Sequence, residues 1–291
     1  MNLLYALLSA SAHSMNSISL RVYQTRLQKG TGDLRLYQAL YMLLAAFAYW
    51  ILTGFSVQMD PMGWFLALCY GLDLCLTGVT VSACFQCGPM SVTSVISNAC
   101  VALPIAVGCI FYGETMGLFP ILGCVLLAVT FVLPCIGSRE GAGKIPAKRY
   151  ILVVLAFFFN GMGAVLLNIY GRVAATSERN SYLATGYLTA ALLYFAISFF
   201  LCRKEKRALK GYVRPLLLVL LVTSSMGGFI GNGLLMSLNT SMPASVLYPM
   251  VNGGIGVMVA IVSCTVFREK LTVPKALAIL TGLGAIVLLN L

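Results

Sequence analysis

Residues 89–116, PMSVTSVISNACVALPIAVGCIFYGETM, are matched later in the chain by residues 243–271, PASVLYPMVNGGIGVMVAIVSCTVFREKL. Each stretch begins with a proline, carries an asparagine about nine residues later and has a glutamate close to its end. These residues are Pro89, Asn98 and Glu114 in the first stretch, and Pro243, Asn252 and Glu269 in the second. An apolar run follows the proline in both. The repetition predicts that the chain consists of two related halves.

The composition places the chain in a membrane. Of its 291 residues, 60% are hydrophobic and 9% are charged, and its mean hydropathy is +0.94, whereas soluble domains carry about a quarter charged residues. The charges are clustered between apolar runs of roughly 20 residues, the length that crosses a bilayer as a helix. A β-barrel would instead show short segments of alternating polarity. The chain is therefore expected to be a polytopic helical membrane protein.

Ten apolar runs predict an all-α fold of ten transmembrane helices, arranged as two inverted five-helix repeats. The halves are residues 1–137 and 149–291, and the Gly-rich, charged segment 138–148 is the predicted cytoplasmic linker. The predicted spans are approximately 2–25, 34–56, 62–85, 89–112, 116–136, 150–173, 181–201, 215–238, 243–266 and 272–290.

Positive charge predicts how these spans are oriented. Of the 19 lysines and arginines, only Arg172 and Arg179 fall on one side of the spans. Because cytoplasmic loops carry the excess of Lys and Arg, both termini are expected outside the plasma membrane and the linker inside. The two halves then insert in opposite senses. Inverted repeats are a recurring design of secondary transporters, which bind their substrate near the midplane of the membrane.

A family resemblance rests on the ends of the two repeated stretches. The chain resembles the EamA-like group of the drug/metabolite transporter superfamily, through Pro89 with Gly113-Glu114 in the first half and Pro243 with Arg268-Glu269-Lys270 in the second. In that family an acid closes the fourth helix of each half before a short turn into the fifth. The resemblance implies a carrier fold and alternating access. It leaves the substrate open, because members move amino acids, nucleotide sugars, cations and drugs.

Asp73 is the acid nearest the middle of a predicted span, and Thr77 and Thr80 extend a polar stripe along the same helix. A carboxylate at the bilayer centre costs about 2.5–3.5 kcal/mol on insertion scales, so Asp73 is expected to face a wet cavity or a partner. One interpretation is a proton or cation site. The alternative is a structural aspartic acid that stays neutral and bonds to neighbouring hydroxyl groups.

His13, the single histidine, lies halfway along the first span, with Ser9, Asn16 and Ser17 on the same helical face. Histidine titrates near neutral pH, so it is a candidate for relaying protons or for pairing with Asp73. A buried packing histidine is the alternative. These two residues are too few to hold a metal ion, so no metal site is predicted.

Asn98 and Asn252 occupy matching positions in the repeat, and Tyr248 shares a helical face with Asn252. Inversion would bring these faces together at a pseudo-twofold axis, where the amides could bind a polar substrate. Interhelical hydrogen bonding, worth about 0.6 kcal/mol on average, is the alternative. Asn160 and Asn232 are further candidates of the same kind.

A structural role is expected for other polar and aromatic residues. Glu114 and Glu269 each lie at a turn before a helix, where a carboxylate complements the positive end of the helix. Aromatic residues near the ends of spans are predicted to be interfacial anchors, among them Trp50, Trp64, Tyr23 and Tyr212.

The expected function is secondary transport, in the export direction, of a small polar metabolite or an amphipathic drug-like compound. The driving force is either a proton or cation gradient, acting through Asp73, or the gradient of the substrate itself. No Gly-Lys-Ser/Thr phosphate-binding loop is present, so no nucleotide is expected. The net charge of +11 is assigned to the membrane ends rather than to nucleic-acid binding. Neither enzymatic activity nor a cofactor is predicted, and the expected partners are a small-molecule substrate and the lipid bilayer. A non-transporting subunit or sensor and an intramembrane enzyme are the alternatives, and both monomer and homodimer stay open.

Overall fold

A computed structural model of the chain describes residues 1–28, 30–86, 99–133, 147–204, 215–265 and 273–291. Within these ranges the regular secondary structure is helical. The ten helices are α1 (Asn2–Arg26), α2 (Thr31–Leu52), α3 (Pro61–Gln86), α4 (Ala102–Phe111), α5 (Leu118–Val132), α6 (Ala147–Val173), α7 (Thr176–Lys204), α8 (Pro215–Leu238), α9 (Ala244–Thr265) and α10 (Val273–Leu288).

Six of these helices are long and apolar enough to cross a membrane, namely α2, α3, α6, α7, α8 and α9. Three shorter apolar helices, α4, α5 and α10, overlap further predicted spans. The prediction of a helical membrane protein is therefore confirmed. The first part of the predicted span 89–112 and most of the linker 138–148 lie outside the described residues.

The centre of the bundle is the packing of α2 against α7. Each of the two helices carries fully buried alanines, which bring the backbones close together. They are Ala39, Ala45 and Ala46 in α2, and Ala184, Ala190 and Ala191 in α7. The two sets of alanines, like the tyrosines described next, recur at one constant interval along the chain.

Two tyrosines at this interval tie the central pair to its neighbours. Tyr194 of α7 donates its hydroxyl proton to the carbonyl groups of Leu74, at 3.1 Å, and Cys75, at 3.3 Å, in α3. Tyr49 of α2 donates in the same way to the carbonyl of Phe229 in α8. Both phenol rings are buried. The first and second halves thus use the same kind of cross-helix bond at matching positions.

Two stacked pairs of tyrosine rings also correspond to each other, one between α1 and α2 and the other between α6 and α7. Tyr23 of α1 stacks on Tyr37 of α2 with ring centroids 4.1 Å apart, and Tyr170 of α6 stacks on Tyr182 of α7 at 4.6 Å. The interfacial role predicted for Tyr23 is therefore wrong. Its ring is buried, because it stacks on Tyr37, and its hydroxyl donates to the carbonyl of Asp33 at 3.0 Å.

The outer faces of α5 and α10 are apolar and exposed. These two helices pack on each other, and the exposed side chains include Leu122, Val125, Leu280 and Val287. A helix with apolar side chains on its outer face is suited to contact with lipid tails. The surface of the bundle thus agrees with the membrane assignment made from its composition.

Candidate functional site

Asp73 is a buried carboxylic acid inside the bundle. It lies in the middle of α3, and only 5% of its surface is exposed. Its Oδ1 atom has no hydrogen-bond partner among the residues that the structure describes. Because burying an unpaired carboxylate oxygen costs free energy, we expect this carboxyl group to bind a proton or a ligand. This geometry supports the prediction that Asp73 does more than pack.

A glycine on the facing helix makes room for this carboxyl group. A Cβ atom at Gly163 of α6 would lie 2.6 Å from Oδ2 of Asp73, which is shorter than any ordinary contact. The backbone of α6 therefore approaches the carboxyl group as closely as the absence of a side chain allows. Gly163 was not predicted to belong to the site, since sequence alone does not show which residue faces which across two helices.

Thr77 lies one helical turn after Asp73 and also lacks a hydrogen-bond partner for its side-chain oxygen. Its Oγ1 atom is buried without a hydrogen-bond partner in the described part of the chain. Thr80, by contrast, donates to the carbonyl groups of Leu76 at 2.8 Å and Thr77 at 3.1 Å within its own helix. The predicted polar stripe on α3 therefore divides into an unsatisfied part, Asp73 and Thr77, and a satisfied part, Thr80.

His13 packs against a different helix from the one that faces Asp73. A Cβ atom at Gly231 of α8 would lie 2.8 Å from Cδ2 and Nε2 of His13, so the imidazole ring lies flat on that glycine. Ser9, one turn earlier, donates to the carbonyl of Gly231 at 2.8 Å. No hydrogen bond or ion pair joins His13 to Asp73, both of which are described. Ser9, His13 and Asn16 of the polar face predicted for α1 thus pack on α8, whereas Ser17 is exposed and donates to the carbonyl of His13 at 3.1 Å.

Tyr248 and Asn232 of the predicted site make bonds between helices, whereas Asn252 bonds within its own helix. Asn252 donates to the carbonyl of Tyr248, one turn earlier in α9, at 3.0 Å, and Tyr248 donates to the carbonyl of Ala164 in α6 at 2.7 Å. Asn232 donates to the hydroxyl of Tyr187 at 2.6 Å. Such bonds are those expected of polar residues that join helices.

Two further candidate asparagines have less defined surroundings. Asn160 is half-buried in α6 and takes part in interactions of its own. Asn98 lies outside the described residues, so the convergence predicted for Asn98 and Asn252 stays a prediction.

Glu114 forms the most connected polar cluster at one end of the bundle. The residue lies in the turn between α4 and α5, and its carboxylate accepts the N–H groups of Ala244 at 2.9 Å and Ser245 at 3.0 Å. It also forms an ion pair with Arg172, at the end of α6. The predicted role at the positive end of a helix holds, but the helix is α9 rather than α5. The second glutamate of the repeat, Glu269, lies outside the described residues.

The charge state of Glu114 follows from these contacts. Burial alone would raise its pKa, but the N–H groups of Ser245 and Ala244 and the side chain of Arg172 outweigh that effect. The pKa of Glu114 is therefore lowered from its ordinary value of 4.5, and the group is an anion at neutral pH. Hydrogen bonds to the ionised form always act in this direction.

Comparison with known proteins identifies the fold alone. No family model and no curated protein matches the chain. In fold, 28 chains of solved structures match it. One of them, described as "Crystal structure of protein", superposes with a TM-score of 0.78 over 100% of this chain and 98% of the other, at 13% sequence identity. The helical architecture therefore recurs over the full length of a different sequence.

Proposed function

We propose that the chain is a secondary transporter of the drug/metabolite transporter type, EamA-like, that exports a small polar metabolite or an amphipathic compound. Its ten helices cross the plasma membrane with both termini outside, as two five-helix halves of opposite orientation. Movement of one half against the other exposes a central cavity to each side in turn. Protons or cations drive the cycle through Asp73.

The repeated tyrosines support the proposal of two related halves. Tyr49 and Tyr194 each donate to a carbonyl of a neighbouring helix, and Tyr23 stacks on Tyr37 as Tyr170 stacks on Tyr182. The hydroxyl bonds of the stacked pairs differ, because Tyr23 and Tyr37 donate to carbonyl groups, whereas the hydroxyls of Tyr170 and Tyr182 have no partner among the described residues. A duplicated module explains the constant intervals within each helix pair and the shared positions of the rings.

The helix packing supports the same relation. Exchanging α1–α5 for α6–α10 leaves most of the packed pairs unchanged: α1 packs on α8 and α9, as α6 packs on α3 and α4. Similarly, α2 packs on α8 as α7 packs on α3. Three further packed pairs consist of two helices that replace each other in this exchange, so each pair is its own counterpart: α2 with α7, α4 with α9, and α5 with α10. With an odd number of crossings in each half, such halves insert in opposite senses, which is the design of many secondary transporters.

The single observation that carries the transport function is the buried, unpaired oxygen of Asp73 inside this bundle. Ionisable residues at membrane depth commonly line ion and proton pathways. The neighbouring unsatisfied hydroxyl of Thr77 provides a second oxygen on the same helical face. A carboxyl group that accepts a proton or cation in one state and releases it in another would couple the cycle to an ion gradient.

Reconstitution in liposomes tests the proposal. The purified chain is assayed for flux of a panel of fluorescent amphipathic cations and radiolabelled amino acids, with an imposed pH gradient. We expect at least one probe to be carried in a pH-dependent manner, and Asp73→Asn to abolish the pH dependence while the protein is still expressed and folded. Unchanged pH dependence in the variant would remove Asp73 from the mechanism. An absence of flux for every probe would favour a subunit or sensor instead.

A further inference from the structure

We propose that Glu114, Arg172 and the amino end of α9 form a latch that closes one end of the transport path and must open once in each cycle. The proposal rests on the transport function proposed above. The latch joins the two halves of the chain, because Glu114 belongs to the first half and the hydrogen-bond partners of its carboxylate belong to the second. Arg172 ends α6, and Ala244 and Ser245 begin α9.

A ladder of polar side chains braces the arginine of the latch. Arg172 donates through Nε to Asn168 at 3.2 Å, and Asn168 donates to Asn239 at 2.9 Å. Asn239, just after α8, donates in turn to the carbonyl of Leu167 at 3.2 Å. The guanidinium group also lies 4.1 Å from the ring centre of Tyr112. Arg172 is thus held by groups from α6, from the end of α8 and from the turn that carries Glu114.

The end of α4 depends on this latch, because few apolar contacts hold it in place. Within α4 only Pro104 and Gly108 are buried, and Ile110 and Phe111 at its end are 74% and 76% exposed. Gly108 packs directly on the glutamate, since a Cβ atom there would lie 2.6 Å from Oε2 of Glu114. Opening the latch would therefore release the end of α4 without exposing a large apolar surface.

The turn that carries Glu114 is shaped to return the chain to the bundle. Gly113 has a φ of +62°, which a residue with a side chain adopts at a cost. This conformation lets α4 end at Phe111 and places Glu114 beside Gly108 one turn back in the helix. The carboxylate therefore reaches both the start of α9 and Arg172 at the end of α6.

Charge-assisted hydrogen bonds suit such a closure. Each bond to an ionised group is stronger than a neutral one, so the latch is firm when closed. Partial exposure of the Arg172 side chain, at 21%, gives water a route to replace these bonds when the latch opens.

Hydrogen–deuterium exchange of the purified full chain tests the latch without any substrate. The variant is Glu114→Gln, which keeps the size of the side chain but removes its charge. The matched control is Glu178→Gln, an acid at the same end of the bundle that accepts the N–H of Ala175, just before its own helix. Protection in α2 and α7 reports whether the fold is intact.

We expect exchange in Glu114→Gln to become about tenfold faster or more over α4 and the first turns of α9, while α2 and α7 keep their protection. Glu178→Gln should leave both regions unchanged. Faster exchange confined to Ala244 and Ser245 would mean a local helix cap and would overturn the latch, as would equal effects in the control. If Glu114→Gln does not fold, hydrogen–deuterium exchange is measured on Arg172→Lys instead, and the result is judged by the same criteria. The liposome assay decides the proposed function separately, so either proposal can fail alone.

Discussion

Adding a methyl group at Gly163 tests how closely function depends on the position of the Asp73 carboxyl group. The Cβ of Gly163→Ala would lie 2.6 Å from Oδ2 of Asp73, so the carboxyl group must move by roughly 0.8 Å to reach an ordinary contact distance. The moving group is the end of a side chain with two rotatable bonds. The rotation costs about 0.5–1.5 kcal/mol, and the gain in helix propensity from Gly to Ala, about 1 kcal/mol, offsets it.

The matched control is Gly227→Ala on α8, at the corresponding crossing of α1 and α8. There the added Cβ would lie 2.5 Å from the carbonyl oxygen of Ala12 and 2.9 Å from the backbone nitrogen of Asn16. Backbone atoms within a helix cannot rotate away, so α1 and α8 must separate. Overpacking of this kind costs typically 1–3 kcal/mol, of which the propensity gain returns only part.

The two substitutions should therefore act in opposite ways. We expect Gly163→Ala to keep the thermal stability of the purified protein within about 1 kcal/mol of the parent chain, but to lower pH-dependent flux in liposomes roughly tenfold or more, since positioned groups tolerate little displacement. Gly227→Ala should lower the thermal unfolding midpoint and keep the pH dependence of the remaining flux. Equal loss of stability in both variants, or wild-type pH dependence in Gly163→Ala, would refute the reasoning.

Three other predictions concern the ends of the bundle and its central tyrosines. Because the pKa of Glu114 is lowered from 4.5, its contribution to stability is complete above that value and is lost as the pH falls through the lowered pKa; acid should therefore reduce the unfolding midpoint of the parent chain more than that of Glu114→Gln. Tyr49→Phe and Tyr194→Phe should each cost about 1 kcal/mol in stability and should match each other closely, and a clear difference between them would count against equivalent roles. A reporter enzyme fused after Leu291 should be active outside the cytoplasm, and cytoplasmic activity would reverse the topology drawn from the Lys and Arg distribution.

Hydrophobicity made the helices predictable, but side-chain contacts between them were less so. The apolar runs locate α2, α3 and α6–α9 within a few residues, because a helix that crosses a membrane must be long and apolar whatever its neighbours are. Asp73 was predictable for the same reason, since its cost at that depth does not depend on which helix faces it. Gly163 was not, because its role exists only through the packing of α6 on α3.

Glu114 shows a second limit. An acid at a turn is expected near the positive end of a helix, and this is where it lies. The helix that follows Glu114 in the chain is α5, whereas the carboxylate binds the start of α9. A rule based on sequence neighbours cannot distinguish the two, since the choice depends on how the halves pack.

The buried tyrosines carried a signal that could have been used. Tyr37 and Tyr49 recur as Tyr182 and Tyr194, with three alanines between them at the same interval. Comparing α2 with α7 would have extended the repeat beyond the two stretches first noticed. It would also have placed these rings in the core, because matching positions in two halves are more readily explained by shared packing than by a belt at the membrane surface.

If Asp73 couples transport to an ion gradient, as proposed, its position indicates that one half of the chain alone carries the coupling. By the interval that relates Tyr23 to Tyr170, Gly163 corresponds to Asn16, and by the interval that relates Pro61 to Pro215, Asp73 corresponds to Gly227. Where α3 crosses α6, Asp73 lies on α3, the third helix of its half, and its carboxyl group faces Gly163. Where α1 crosses α8, Gly227 lies on α8, the third helix of the other half, and faces the backbone at Asn16. Since each deep carboxylate costs about 2.5–3.5 kcal/mol, a single acid limits that cost, and the tight glycine contact in the other half leaves no space for a second one.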